Sequence, residues 1–185
     1  LRPNDSASTY VNAQIYETLY RIDPETDEYM PLLAAEMPEY SEDGLTVTVK
    51  LREGVTFHDG TPFNSEAVKY TFDLIKDPDF GSARASIASL VDTMECPDDY
   101  TFVITLKEPS APFLSSLAWY NNSILPQHLF DTDEDWTTCA AATTAPVGTG
   151  PFKFVSEQSG VSITLEKNPD YFGGEPAIDK VIYVI

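Results

Sequence analysis

Basic residues are scarce in this chain. Lysine and arginine number 11 against 30 aspartates and glutamates, a formal net charge of −19 over 185 residues. So few cations exclude nucleic acid and anionic lipid surfaces as partners, because both are held by Lys and Arg. The acids are dispersed, with small clusters at Asp23–Glu28 and Asp131–Asp135, and read as a solvated acidic surface, with an acidic patch that recruits a cationic ligand as the alternative. Long hydrophobic runs are absent as well, so no segment reads as a membrane-spanning helix. The opening LRPNDSAST lacks a charged start followed by an apolar stretch, which fits a cytoplasmic protein or one whose leader has been removed. Cysteine is limited to Cys96 and Cys139, with no CxxC and no His-rich spacing beside them, which argues against zinc. A single disulfide in an oxidising compartment and two unpaired buried thiols both stay open.

What is present is enough apolar material for a sizeable core, 42% of residues, cut by 14 prolines and 9 glycines spread along the chain. Val11, Ile15 and Leu19 recur at helical spacing, predicting a helix over residues 9–19, with Tyr20–Ile22 a short strand and Asp23–Asp27 a turn. Leu45, Val47, Val49 and Leu51 alternate with Thr46, Thr48, Lys50 and Arg52, the clearest strand in the sequence. Asn64 is placed to cap a helix whose face is Val68, Phe72 and Ile75, with Glu66 in the first turn and Asp77-Pro78 as the stop. A loop and short helix are expected over 86–93. A second alternating strand follows at Thr101–Lys107, then a short helix from Phe113 to Leu117. Phe152–Val155 and Val161–Glu166 read as a hairpin, and Asn168–Gly174 as a long turn. The run VIYVI at the end of Asp179–Ile185 is apolar on both faces and is expected in a sheet centre.

Several motifs invite a chemical reading. Asp131, Asp133 and Asp135 imitate the start of a calcium loop, but the sixth position is Trp136 where Gly is needed and the twelfth is Ala142 where Glu is needed. Gly148-Thr149-Gly150 lacks the Lys-Ser/Thr ending of a phosphate loop and precedes a strand. Close backbone approach is the better reading of its glycines. His128 has no sequence neighbour that would make it a ligand or a base, and Cys139 has no basic neighbour to activate it. No nucleophile, metal set or paired acids stand in catalytic context, so the chain is read as a non-enzyme without a cofactor.

The run Leu33-Ala34-Ala35-Glu36-Met37 and its continuation from Asp43 through Gly54-Val55-Thr56-Phe57-His58-Asp59-Gly60-Thr61-Pro62-Phe63 into Asn64–Val68 resembles a family signature. Pro146–Phe152, Asn168–Phe172 and Ile178–Val181 add further motifs in the same order. Together they resemble the N-terminal part of the bacterial extracellular solute-binding proteins of family 5, the oligopeptide, dipeptide and nickel class. The resemblance implies a mixed α/β (α+β) fold of the periplasmic-binding-protein type II kind. It assigns residues 1–30 and 146–185 to the first main lobe and residues 31–145 to an inserted small subdomain. It implies that this chain is a fragment lacking the second lobe, and that such a fragment binds ligand weakly or not at all.

The function it implies is the substrate-binding component of an ABC importer. Such a component captures peptides or another small solute at the extracellular face or in the periplasm and delivers it to the permease subunits. A membrane would be reached only through a lipid anchor not present in this chain. The alternative is a solute-sensing receptor domain serving a signalling partner. The resemblance makes Phe57–Pro62 a structural turn, so His58-Asp59 is read as turn chemistry. It places Gly148–Gly150 near the ligand cleft, making Thr149 a candidate ligand contact, with Tyr10 and Asn12 at the first helix. Trp119, Tyr120 and Asn121 are candidates because aromatic bodies with polar tips suit binding surfaces.

Overall fold

Val47 and Val49 alternate with threonines, and the strand they predict forms at Thr46–Lys50 with both valines fully buried. The computed structural model describes residues 6–77, 89–119, 122–130 and 139–185. Its chain divides into two compact units: Thr18–Glu53 with Asn64–Ile124, and Pro3–Glu17 with Gly54–Phe63 and Leu125–Ile185. Residues from Thr18 onward join the first unit because the Thr18 and Leu19 carbonyls accept from Leu32, Leu33 and Ala34. Gly54–Phe63 joins the second because His58 bonds to Gly148 and Gly150.

In the first unit, β1 (Tyr20–Ile22) pairs antiparallel with β2 (Tyr29–Pro31). A four-stranded antiparallel sheet runs in the order β3-β4-β6-β5, formed by β3 (Glu39–Tyr40), β4 (Thr46–Lys50), β5 (Val91–Asp98) and β6 (Thr101–Leu106). Val47 opposes Ile104 and Val49 opposes Phe102, so the apolar halves of both alternating strands share one face. Helix α2 (Ser65–Lys76) packs on β5 and β6 through the face the sequence predicts, with Val68, Phe72 and Ile75 buried. Each such side chain contributes about 1.5–3 kcal/mol through burial. The Asn64 side chain accepts from the Ala67 amide at 3.1 Å and starts this helix. Helix α3 (Phe113–Ala118) buries Phe113 and Leu117 and packs on β1.

The structure corrects the short helix expected over 86–93. Residues 86–88 lie outside the described set, and Val91–Thr93 belong to strand β5. Strand β5 hides from a periodicity reading because it is the sheet edge. Its register slips between Val91 and Thr93 and again between Glu95 and Asp98, and Pro97 sits where no ladder bond is required.

In the second unit, helix α1 (Ser6–Ile15) packs on the antiparallel sheet β7-β8-β9, formed by β7 (Phe152–Gln158), β8 (Ser162–Lys167) and β9 (Lys180–Val184). Val11, Ile15, Phe152 and Leu165 form its core, flanked by Tyr16, Phe154, Ile163, Val181 and Tyr183. Helix α1 stops at Ile15 instead of reaching Leu19, because the Ile15 carbonyl accepts from the Gly150 amide at 2.9 Å. Two short helices, α4 (Gln127–Phe130) and α5 (Ala140–Thr143), pack together.

The final strand also departs from expectation. Among the described residues β9 is an edge strand paired only with β8, not a sheet centre. Val181 and Tyr183 face the core, while Ile182 and Val184 stand 57% and 83% exposed. The apolar character of both faces is real, and one of them is bare.

Candidate functional site

The second unit gathers three segments that are far apart in sequence. Glu17 follows α1, His58 sits in the Gly54–Phe63 segment, and Gly148-Thr149-Gly150 leads into β7. The turn is pressed against the end of α1 so closely that a Cβ on Gly148 or Gly150 would overlap the Ile15 and Gln14 carbonyls. This is why glycine is required on either side of Thr149.

Thr149 itself is buried, and its hydroxyl donates to Glu17 Oε2 at 2.9 Å. Tyr171 donates its hydroxyl to Glu17 Oε1 at 2.5 Å. Glu17 is buried, and both oxygens of its carboxyl group accept from hydroxyls, which supplies the partners a polar group needs away from water. Asn168, also buried, donates from Nδ2 to the Gly150 carbonyl and accepts at Oδ1 from the Asp170 amide.

His58 closes the turn from the other side. Its amide donates to the Gly148 carbonyl at 2.9 Å, its Nδ1 faces the Gly148 amide at 3.3 Å, and its Nε2 faces the Gly150 carbonyl at 2.9 Å. Burial is the largest influence on the imidazole, and together with nearby Lys153 it outweighs the Gly150 carbonyl and Asp59. The pKa is thereby lowered from 6.5 to about 4. Lys153 Nζ also donates to the His58 carbonyl at 3.3 Å. Burial raises the Tyr16 phenol well above its ordinary value beside the same turn.

The adjacent Asp59 turns elsewhere. Its carboxylate is 2.6 Å from His128 Nε2 and accepts from the Thr61 amide at 3.0 Å. Burial works upward on Asp59, but the Thr61 and His128 hydrogen bonds prevail and hold it below its ordinary value. His58 and Asp59 are therefore neighbours in sequence serving separate contacts. His128, expected from the sequence to cap or pack and not to serve as a ligand or base, packs edge-on against Phe57 and bonds Asp59 and Thr61.

The candidate ligand contacts fall in different surroundings. Tyr10 is 66% exposed on α1, where its carbonyl accepts from the Tyr183 hydroxyl. Asn12, on the same helix, is half-buried, and its carbonyl accepts from the Tyr16 amide. Trp119, in the first unit, is 42% exposed at the end of α3, and its carbonyl accepts from the Asn122 amide. Tyr120 and Asn121 lie outside the described residues, as do Asp131, Asp133 and Asp135. The Thr149 hydroxyl is committed to Glu17. The amides of Gly148 and Gly150 are committed to His58 and Ile15, so this turn is not arranged to cradle a phosphate. Cys96 is half-buried and Cys139 buried, and the two are not joined in a disulfide. Among the described residues no group of three or more His, Cys, Asp or Glu side chains is placed to share a metal ion, and no helix is long and apolar enough to cross a membrane.

Sequence reasoning missed Glu17, Asn168 and Tyr171. The signal was available in Asn168-Pro169-Asp170-Tyr171, a family-like motif whose purpose emerges only when Tyr171 meets Glu17.

The fold of this chain is the mixed α/β fold of the type II periplasmic binding proteins. The chain belongs to the bacterial extracellular solute-binding proteins of family 5: the family model described as "Bacterial extracellular solute-binding proteins, family 5 Middle" matches residues 28–185. A putative ABC transporter peptide-binding protein of Brucella ovis is 40% identical over 146 residues, covering 78% of this chain and 27% of the relative. The glutathione-binding protein GsiB of Pectobacterium atrosepticum is 35% identical over 97% of this chain and 34% of its own length. The oligopeptide-binding protein AppA of Bacillus subtilis, solved with a nonapeptide, superposes with a TM-score of 0.90 at 31% identity, over 99% of this chain and 36% of AppA. The α/β type II fold expected from the motifs is thus the fold found. The chain spans about a third of the length of the relatives it matches.

Proposed function

We propose that this chain is part of the substrate-binding component of an ABC importer, which captures a peptide or another small solute outside the cytoplasm and delivers it to permease subunits. The observation that carries this reading is family membership over residues 28–185, joined to relatives named for peptide and glutathione binding. The protein's place is the extracellular face or periplasm, held where needed by a lipid anchor. Affinity in this reading comes from enclosing the solute, so that polar groups fix its orientation and apolar walls exclude water. Tyr10 and Asn12 of the second unit are proposed as ligand contacts, and Trp119, Tyr120 and Asn121 as a separate candidate set. Thr149 contributes through its place in the turn rather than through its hydroxyl, which is committed to Glu17.

Native mass spectrometry of the whole protein after gentle purification tests this reading. A retained peptide or small solute, followed by loss of its uptake on deleting the gene, supports it. Unchanged uptake of every retained solute in the deletion strain overturns it.

A further inference from the structure

His58 makes contacts that dictate its protonation. A backbone amide can only donate, so Nδ1, which faces the Gly148 amide, must accept. A carbonyl can only accept, so Nε2, which faces the Gly150 oxygen, must carry the proton. One neutral tautomer satisfies both neighbours. We propose that His58 is a positioning residue whose neutral Nε2–H tautomer alone serves both the Gly148 amide and the Gly150 carbonyl, so that the Gly148 amide is held at neutral pH and released in acid.

A proton added at Nδ1 sets two donors against each other across the 3.3 Å contact to Gly148. The groups facing the ring and its turn all bear on this step. Lys153 of β7 opposes a second positive charge, while Asp59 favours it, although the Asp59 carboxylate is shared with His128 of α4. On the α1 side stand Tyr16, whose phenol stays protonated, and Glu17, which holds Thr149 in the middle of the turn. The burial that keeps the imidazole neutral agrees with the geometry. The His58 amide keeps its bond to the Gly148 carbonyl and the ring keeps its Nε2 proton on the Gly150 carbonyl, so what acid removes is the acceptor of the Gly148 amide. This device goes beyond the transport reading and does not rest on it.

Selective 15N-histidine labelling of the whole protein reads the tautomer directly, and His58→Gln assigns the signal by removing it. The expected spectrum shows a protonated Nε2 and an unprotonated Nδ1 at neutral pH, persisting well below pH 6.5. Hydrogen exchange, corrected for intrinsic rate, is expected to show Gly148 amide protection falling about tenfold or more in acid, relative to the Val49 amide. Gln carries a donor at the reach of Nε2 and cannot become charged, so His58→Gln should lack the acid-dependent loss. A ring that is charged or Nδ1–H at neutral pH overturns the proposal. So does an acid-dependent loss of the same size in His58→Gln. Should the variant fail to fold, the tautomer in the unmodified protein decides alone. None of these readouts involves a transported solute, so the transport reading can fail while this result stands.

Discussion

In the first unit most of the buried polar side chains are hydroxyls, and two beside the four-stranded sheet bond backbone carbonyls. Thr71 donates to the Ala67 carbonyl and Ser65 to the Asp98 carbonyl. The second unit instead closes its turn on a buried carboxyl group, an imidazole and an amide: Glu17, His58 and Asn168. The first is held by shape and apolar area, which tolerate repacking. The second is held by donor–acceptor matching, in which each lost partner leaves another group unsatisfied. The two should therefore fail in different ways.

The largest expected effect is in the first unit. Phe72→Ala removes a ring buried against Phe102, with centroids 5.8 Å apart, and should cost about 3–5 kcal/mol in denaturant unfolding. In the second unit, Gly148→Ala forces a methyl into the Ile15 carbonyl and should cost about 3 kcal/mol, with the loss concentrated at the amides of α1 and the turn in hydrogen exchange. Glu17→Ala strands the Thr149 and Tyr171 hydroxyls and should cost about 2–3 kcal/mol, measured the same way.

The contrast sharpens with pH. The folded His58 pKa is lowered to about 4 from 6.5, so between those values the unfolded chain binds the extra proton and the folded chain does not. Its stability contribution is complete above pH 6.5 and is lost progressively as pH falls to about 4, a decline of roughly 2–3 kcal/mol. His58→Gln should flatten that slope in urea titrations across the same window. The smallest effect is again in the first unit, where Asn64→Ala removes the α2 cap and should cost about 1 kcal/mol by thermal unfolding.

The first unit was also the more legible one. Strand β4, strand β6 and helix α2 repeat apolar residues at the period of their own geometry, and one repeat is enough to place a buried face. Strands β2 and β3 are too short to show a period, and β5 loses its period to two register slips. Helix α1 was expected to run to Leu19, because the carbonyl that ends it is taken by Gly150, a residue invisible to local pattern. The same limit applies to the site. The glycines around Thr149 announced a close approach, but what approaches them lies at α1 and at His58. His128 looked solitary because Asp59, its partner, is 69 positions away.

Those separations bear on the order of folding. The contacts of Glu17 with Thr149 and Tyr171 span 132 and 154 positions, whereas β5 and β6 meet across a tight turn. Closing so long a loop carries an entropic cost that is repaid only after the loop is shut, so topology sets it late. On a ribosome, α1 must wait for β7 and the Tyr171 segment to emerge, while the sheet that buries Val47 and Phe102 is already free to assemble. Helix α1 thus finds its partners after the four-stranded sheet has found its own, and a nascent chain halted before Gly148 would hold a finished first unit and an α1 still without its sheet.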